Sequence, residues 1–172
     1  MRGTWMTWGV AAIVWVSTSA GAATGLGAQQ AAITRNPEAV QLERRAQDLS
    51  FDNRTFGEAA RMYRKAAEVR GTKDPVTVTN LRWAGRLAYY AGNATQAVND
   101  LKRAGDLALE WGDVLGAAES FFDAAWIAQK HGRPAEAVKL ADRGKELSEV
   151  PFLGAEQKAA LQGRVRTSGS GR

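Results

Sequence analysis

The strongest constraint on the fold is a repeat in which small residues return after 40 positions. Residues 84–113 have helical character, yet Ala and Gly occupy apolar positions where a helix would usually carry Leu or Ile. A shift of the sequence by 40 superposes Ala84 on Ala124, Gly85 on Ala125, Ala88 on Ala128, Gly92 on Gly132, Ala97 on Ala137, Val98 on Val138, Arg103 on Arg143 and Leu107 on Leu147. A repeat of this length is one structural unit that buries its apolar face by stacking on neighbouring units.

A fainter copy lies 38–39 residues upstream. It aligns Leu42, Ala46 and Leu49 with Leu81, Gly85 and Ala88, and Ala59, Tyr63 and Ala66 with Ala97, Leu101 and Ala104. Asn53 falls at the turn position of Gly92, and we expect it to adopt the left-handed conformation there, which Asn tolerates better than most residues.

Helix start and stop signals predict seven helices. Gly71, Gly92, Gly112 and Gly132 suit the left-handed position that ends a helix. Starts are predicted at Asn36–Pro37, at a capping box Thr55-Phe56-Gly57-Glu58, at Asp74–Pro75, at Asn93, at Asp113 and at Pro134. The first helix should end near Leu49, the third near Ala91, and a weaker seventh should cover about 155–165. Because the turns are short and strand signals nearly absent, we expect an all-α fold of about three antiparallel hairpins, stacked as a short solenoid with a C-terminal capping helix.

The small residues explain how such hairpins would pack. Small side chains at fixed places on both helices let the backbones approach closely, while larger ones fill the adjacent space; these are Leu81, Leu101, Tyr63 and Phe121. Gly85 is therefore predicted to lie at a helix crossing, where Leu would overpack the core. Ala is expected to be tolerated there, because the third copy carries Ala125.

The order and spacing of Gly85, Gly92, Ala97, Leu101 and Ala104 resemble the tetratricopeptide repeat (TPR). The resemblance covers about residues 37–149. It departs from the family in its period of 38–40 against about 34, in a closing Pro that appears only as Pro75, and in a third copy with Ala141 and Gly144 where a large residue and Ala are usual. The resemblance implies a solenoid in which the first helix of each hairpin lines a concave binding surface.

The N-terminal segment has the character of an export signal. Arg2 precedes an apolar run, Trp8–Val16, and small residues follow it, so residues 1–28 are predicted to be a signal peptide cleaved after Ala28, or after Ala22 or Ala23. The alternative is an uncleaved membrane anchor over residues 5–23. Residues 29–35 are then a linker, 36–166 the helical domain and 167–172 a disordered tail. Export to the periplasm or the extracellular space is expected in either case.

Composition leaves little material for chemistry. The absence of Cys excludes disulfides and thiolate metal sites, and the single His131, at a predicted helix end, leaves no partner for a zinc site. We expect no cofactor and no metal. A net charge of +5 is too small to indicate nucleic-acid binding. Contact with a membrane is expected only if the N-terminal segment is retained as an anchor.

A basic and aromatic stripe on the third and fifth helices is the candidate binding site. Its members lie on one face of each helix: Arg82, Arg86, Tyr89, Phe122, Trp126 and Gln129. Across the 40-residue repeat, Arg82 is expected beside Phe122 and Arg86 beside Trp126, an arrangement that suits an extended peptide with acidic or carboxylate groups. The alternative is that Trp126 packs in the core and the Arg residues form surface ion pairs.

Two functional hypotheses follow. The first is an exported, non-catalytic interaction module or scaffold that binds a protein or peptide through its concave face. The second is an accessory subunit or a carboxylate-dependent enzyme of the cell envelope. Two buried carboxylates converging in a pocket would favour the enzyme, whereas an open groove would favour the binding module. A scaffold with its contacts on the convex face is a third possibility.

Overall fold

The computed structural model describes residues 36–151 and 153–169, with side chains as far as residue 164. This part of the chain forms seven α-helices and no strand. The helices are α1 (Pro37–Leu49), α2 (Phe56–Arg70), α3 (Val76–Tyr90), α4 (Ala94–Glu110), α5 (Val114–Lys130), α6 (Pro134–Ser148) and α7 (Ala155–Gly169). A 3-10 helix, Asn53–Thr55, precedes α2. The prediction of an all-α fold is confirmed.

Each helix packs against the next one along the chain, which produces a stack of helical hairpins. The hairpins are α1–α2, α3–α4 and α5–α6, and α7 packs against both α5 and α6. Side-chain contacts join α1 to α3 and α3 to α5 on one side of the stack, and α2 to α4 and α4 to α6 on the other. The helices therefore form two layers, and we call α1, α3 and α5 the odd-helix layer.

Glycine and capping residues set most of the predicted boundaries. The four predicted stops all have positive φ: 73° at Gly71, 82° at Gly92, 73° at Gly112 and 71° at Gly132. The side chains of Asn36, Asn93 and Asp113 accept hydrogen bonds from backbone N–H groups in the first turns of α1, α4 and α5. These signals are local to the chain, and each of these predictions is confirmed.

The connection between α1 and α2 differs from the prediction. The Thr55 hydroxyl donates to the carbonyl oxygens of Leu49, at 2.5 Å, and Asp52, at 2.8 Å, so it does not cap α2. Glu58 accepts instead from Arg45, at 3.1 Å. Asn53 begins the 3-10 helix, whose backbone is right-handed, and does not take the left-handed position of Gly92. The predicted start of α2 after Thr55 is confirmed. The hydrogen bonds of the predicted capping box and the Asn53 turn were wrong, because this connection contains an additional helical turn.

The two ends of the chain bear differently on the domain predictions. Helix α7 extends to Gly169, four residues beyond the predicted end at residue 165, into the segment predicted to be a disordered tail. The predicted signal peptide, residues 1–28, and the linker, residues 29–35, lie outside the described residues.

The predicted close approach of helices is present at three glycines. A Cβ built on Gly85 would lie 2.6 Å from Leu101 Cγ and 3.1 Å from the carbonyl oxygen of Ala97. A Cβ on Gly105 would lie 2.8 Å from the Phe121 ring, and one on Gly144 would lie 2.8 Å from the Phe122 ring. Each glycine accommodates a large side chain from a neighbouring helix. The four predicted filling residues, Leu81, Leu101, Tyr63 and Phe121, are all buried.

A buried ionic network joins the first hairpin to the second. The Arg70 guanidinium, 1 % exposed, donates to Glu43 at 2.5 and 2.9 Å and to Asp74 at 2.6 Å. Asn80 on α3 donates to the same Glu43 carboxylate at 2.6 Å. The hydrogen bonds that Arg70 donates to the Glu43 carboxylate, and those to Asp74, raise the pKa of Arg70 against the opposing effect of burial. Burial, together with the Glu43 charge, raises the pKa of the adjacent Tyr63. The charges are therefore paired inside the stack.

Candidate interaction surface

Three side-chain pairs connect α3 to α5 along the odd-helix layer. Arg82 pairs with Glu119 and Arg86 with Asp123, whose closest N–O distance is 2.9 Å. The Tyr89 and Trp126 rings meet edge to face, with centroids 5.2 Å apart. The partners in all three pairs are 37 residues apart, so the contact register is three residues shorter than the sequence repeat of 40.

Because of this three-residue offset, the predicted partners of the two arginines were wrong. The guanidinium groups of Arg82 and Arg86 lie against the carboxylates of α5, not beside Phe122 and Trp126. The offset of three residues is close to one helical turn. Contacts between adjacent helices of like direction are therefore shifted relative to equivalent positions of the repeat.

Phe122 is buried and does not belong to the surface stripe. Its side chain is 1 % exposed and packs in a cluster with Ala118, Leu153 and Leu161, and its ring fills the space beside Gly144. Its assignment to the stripe was wrong because α7 covers this side of α5. The contact between the Phe122 ring and Gly144 accounts for the small residue at position 144, where the third copy departs from the TPR pattern.

The other predicted residues of α5 remain at the surface. Trp126 and Gln129 are half-buried. Lys130 Nζ lies 5.9 Å from the centroid of the Trp126 ring, a cation–π distance. The His131 ring, at the C-cap of α5, meets Tyr89 edge to face at 5.9 Å. Trp126 is therefore neither a fully buried core residue nor an isolated surface residue.

Further aromatic side chains extend the Tyr89–Trp126 pair. Tyr90 lies 5.4 Å from Tyr89 and 5.9 Å from Phe56, which is at the start of α2. We call Phe56, Tyr90, Tyr89 and Trp126 the aromatic row. Tyr90 is 68 % exposed, so the row presents apolar area to solvent. Tyr90 and Phe56 were not among the predicted site residues, because their closeness in space is not apparent from helical spacing alone.

A cluster of charged residues lies next to the aromatic row. Besides the Arg82–Glu119 and Arg86–Asp123 pairs, it contains Arg164 of α7, which pairs with Asp123 and, at 3.7 Å, with Glu119. We call these five residues the charge cluster. The sequence analysis missed Glu119 and Asp123, whose signal was their position 37 residues after the two arginines.

The carboxylates of this surface are arranged for ion pairing. Each one in the charge cluster contacts a guanidinium, so its oxygens are engaged, whereas acid–base catalysis needs an oxygen directed at a substrate. Asp100, which is buried in the other layer, is likewise held by Arg64 at 2.7 Å and Gln96 at 2.9 Å. Among the described side chains, no group of three or more His, Asp or Glu residues is placed to hold a metal ion.

Comparison of the chain with protein-family models, with curated proteins and with solved structures gives no match. Within residues 36–151 and 153–169, no helix is both long enough and apolar enough to cross a membrane. The order and packing of the described helices show a stack of helical hairpins compatible with a solenoid.

Proposed function

We propose that this protein is an exported, non-catalytic interaction module or scaffold of the TPR-like type, which binds a segment of a protein or peptide on its odd-helix layer. The observation that carries the proposal is the adjacency of the aromatic row and the charge cluster across α3 and α5. Aromatic and Arg side chains are the residues most enriched at the energetic centres of protein interfaces.

The proposed surface offers two kinds of contact. Half-buried Trp126 and exposed Tyr90 have further apolar area to bury against a partner. The partly exposed guanidinium groups of Arg82 and Arg86 can add charged contacts to a carbonyl or carboxylate oxygen of a partner. The revised set of binding residues is Arg82, Arg86, Tyr89, Tyr90, Trp126 and Gln129, without Phe122.

Substitution of Arg86 and Trp126 tests this surface. We expect Arg86→Ala and Trp126→Ala each to weaken partner binding by about 1–3 kcal/mol, as is typical of interface Arg and Trp residues. Arg86→Ala should change the free energy of unfolding by no more than about 1 kcal/mol, since its ion pair is partly exposed. Trp126→Ala should cost less than the about 3–5 kcal/mol typical of a fully buried aromatic. Affinity capture would identify the partner, after which binding and thermal unfolding are measured for both variants.

Arg54→Ala is the matched control, because Arg54 is an exposed arginine paired with Asp52 and lies outside the surface. Its partner binding should equal that of the wild-type protein. A strongly destabilised Trp126→Ala, together with normal binding by Arg86→Ala, would show that the stripe is structural.

Export by a signal peptide is the second part of the proposal, and it rests on the composition of residues 1–28. We expect N-terminal sequencing of the protein released by its native host to begin at or near Gln29. A membrane-bound product that retains Trp5 and Trp8 would instead establish the segment as an anchor.

A further inference from the structure

Among the side chains of α7 that the structure describes, residues 155–164, the contacts with the stack centre on two that are three residues apart. Leu161 is fully buried and packs against Ala118, Phe122 and Leu153. Arg164 pairs with Glu119 and Asp123. The other side chains described on this helix are exposed, except Lys158, which is half-buried. By comparison, α5 has ten buried residues.

These contacts define a binding site that has both an apolar and an acidic part. The apolar part is formed by Phe122 and Ala118, and the acidic part by Glu119 and Asp123, which follow them by one residue and form the adjacent stripe of α5. A helix that carries Leu at one position and Arg three residues later matches both parts, because residues three apart lie on the same side of a helix.

We propose that this face of α5 and α6 is a docking site for a partner helix with a Leu-x-x-Arg pattern, and that α7 occupies it in the isolated chain. The inference deepens the proposed function and rests on it, since it states which partner chemistry the surface around the charge cluster accepts. Amphipathic helices bind hydrophobic grooves in this manner, through anchors three or four residues apart.

Competition between α7 and a partner is physically reasonable. Being tethered, α7 acts at a high effective concentration, yet Leu161 is the one buried residue among its side chains described, residues 155–164. Segments with few buried contacts open locally without global unfolding. A partner helix of the same pattern, present in excess, would then displace α7 by mass action.

Amide hydrogen exchange on the intact wild-type chain is the first test, and it requires no variant. The amides of α7 should exchange at least about ten times faster than those of α3 and α5, as expected for a unit that opens independently. Exchange of α7 at the same rate as α5 would show that the helix is an integral part of the stack, and the proposal would be overturned.

Peptide titration is the second test. The full chain carrying Leu161→Ser and Arg164→Glu, which should release α7, is labelled for NMR and titrated with a synthetic peptide of sequence 155–169 at up to millimolar concentrations. We expect amide shifts in α5 around Phe122, and apparent affinity at least about tenfold higher than for the wild-type chain, whose own helix competes. A peptide in which Glu replaces the Arg at the position of Arg164 is the control and should not bind.

The proposal is wrong if the release variant keeps its helical circular dichroism but shows no shifts, or if both peptides bind equally. If that variant fails to fold, the single variant Arg164→Glu, which keeps Leu161, is titrated instead. The exchange experiment on the wild-type chain tests the proposal in either case. The tests use no natural partner, so their outcome is separate from that of the Arg86 and Trp126 variants. A natural partner that binds the aromatic row while α7 exchange is unchanged would support the proposed function and overturn this inference.

Discussion

Replacement of Arg70 by Met is expected to lower the free energy of unfolding by about 3–5 kcal/mol, the usual cost of removing one partner from a buried ion pair. The side chain is almost fully buried and contacts Glu43 from α1 and Asp74 from the connection before α3. Met fills a similar volume but leaves two carboxylates without their cation. Chemical denaturation monitored by circular dichroism would measure the loss.

Arg54→Met is the matched control for this experiment. Arg54 also forms a bidentate ion pair with a carboxylate, that of Asp52, but this pair is exposed to solvent. The melting temperature of the Arg54→Met variant should therefore equal that of the wild-type protein. Arg70→Lys should recover only part of the stability, because an ammonium group lacks the planar fork that reaches both carboxylates. Equal effects of Arg70→Met and Arg54→Met would contradict the role assigned to the buried network.

Gly85→Ala is expected to destabilise the fold by about 1–3 kcal/mol, and Gly85→Leu by more. The added Cβ would overlap Leu101 Cγ and press against the carbonyl oxygen of Ala97, which belongs to the backbone and cannot rotate away. The structure thus argues against the sequence-based expectation that Ala is tolerated there. In the third copy, Ala125 is accommodated because the position equivalent to Leu101 is the smaller Ala141.

Gly57→Ala provides the control, since Gly57 also lies in a helix but its added Cβ would be at an ordinary 3.6 Å from the nearest atom, Ala91 Cβ. We expect it to be neutral or to stabilise by up to about 1 kcal/mol through helix propensity. Both variants are compared by thermal and chemical unfolding. If Gly85→Ala were as stable as Gly57→Ala, the close crossing of α3 and α4 would be refuted.

The helices and their stacking could be predicted from local signals in the sequence. Gly92, Gly112 and Gly132 mark turns through a backbone property that needs no tertiary partner, and the 40-residue recurrence of small residues indicates packed hairpins wherever they lie. Gly85 could be assigned to a close crossing for the same reason. The sequence also placed Arg82, Arg86 and Tyr89 on the side of α3 that meets α5, where they contact Glu119, Asp123 and Trp126.

The contacts between side chains of the stripe, and the burial of one of them, depend on how the helices pack together. Partners lie 37 residues apart because adjacent helices are offset by nearly a turn, so each arginine meets Glu119 or Asp123 instead of an aromatic ring. Phe122 is buried because α7 folds back over α5, a contact that the weak pattern of α7 does not encode locally. Helical periodicity specifies the face on which a residue lies, whereas the neighbouring element on that face depends on how the whole chain packs.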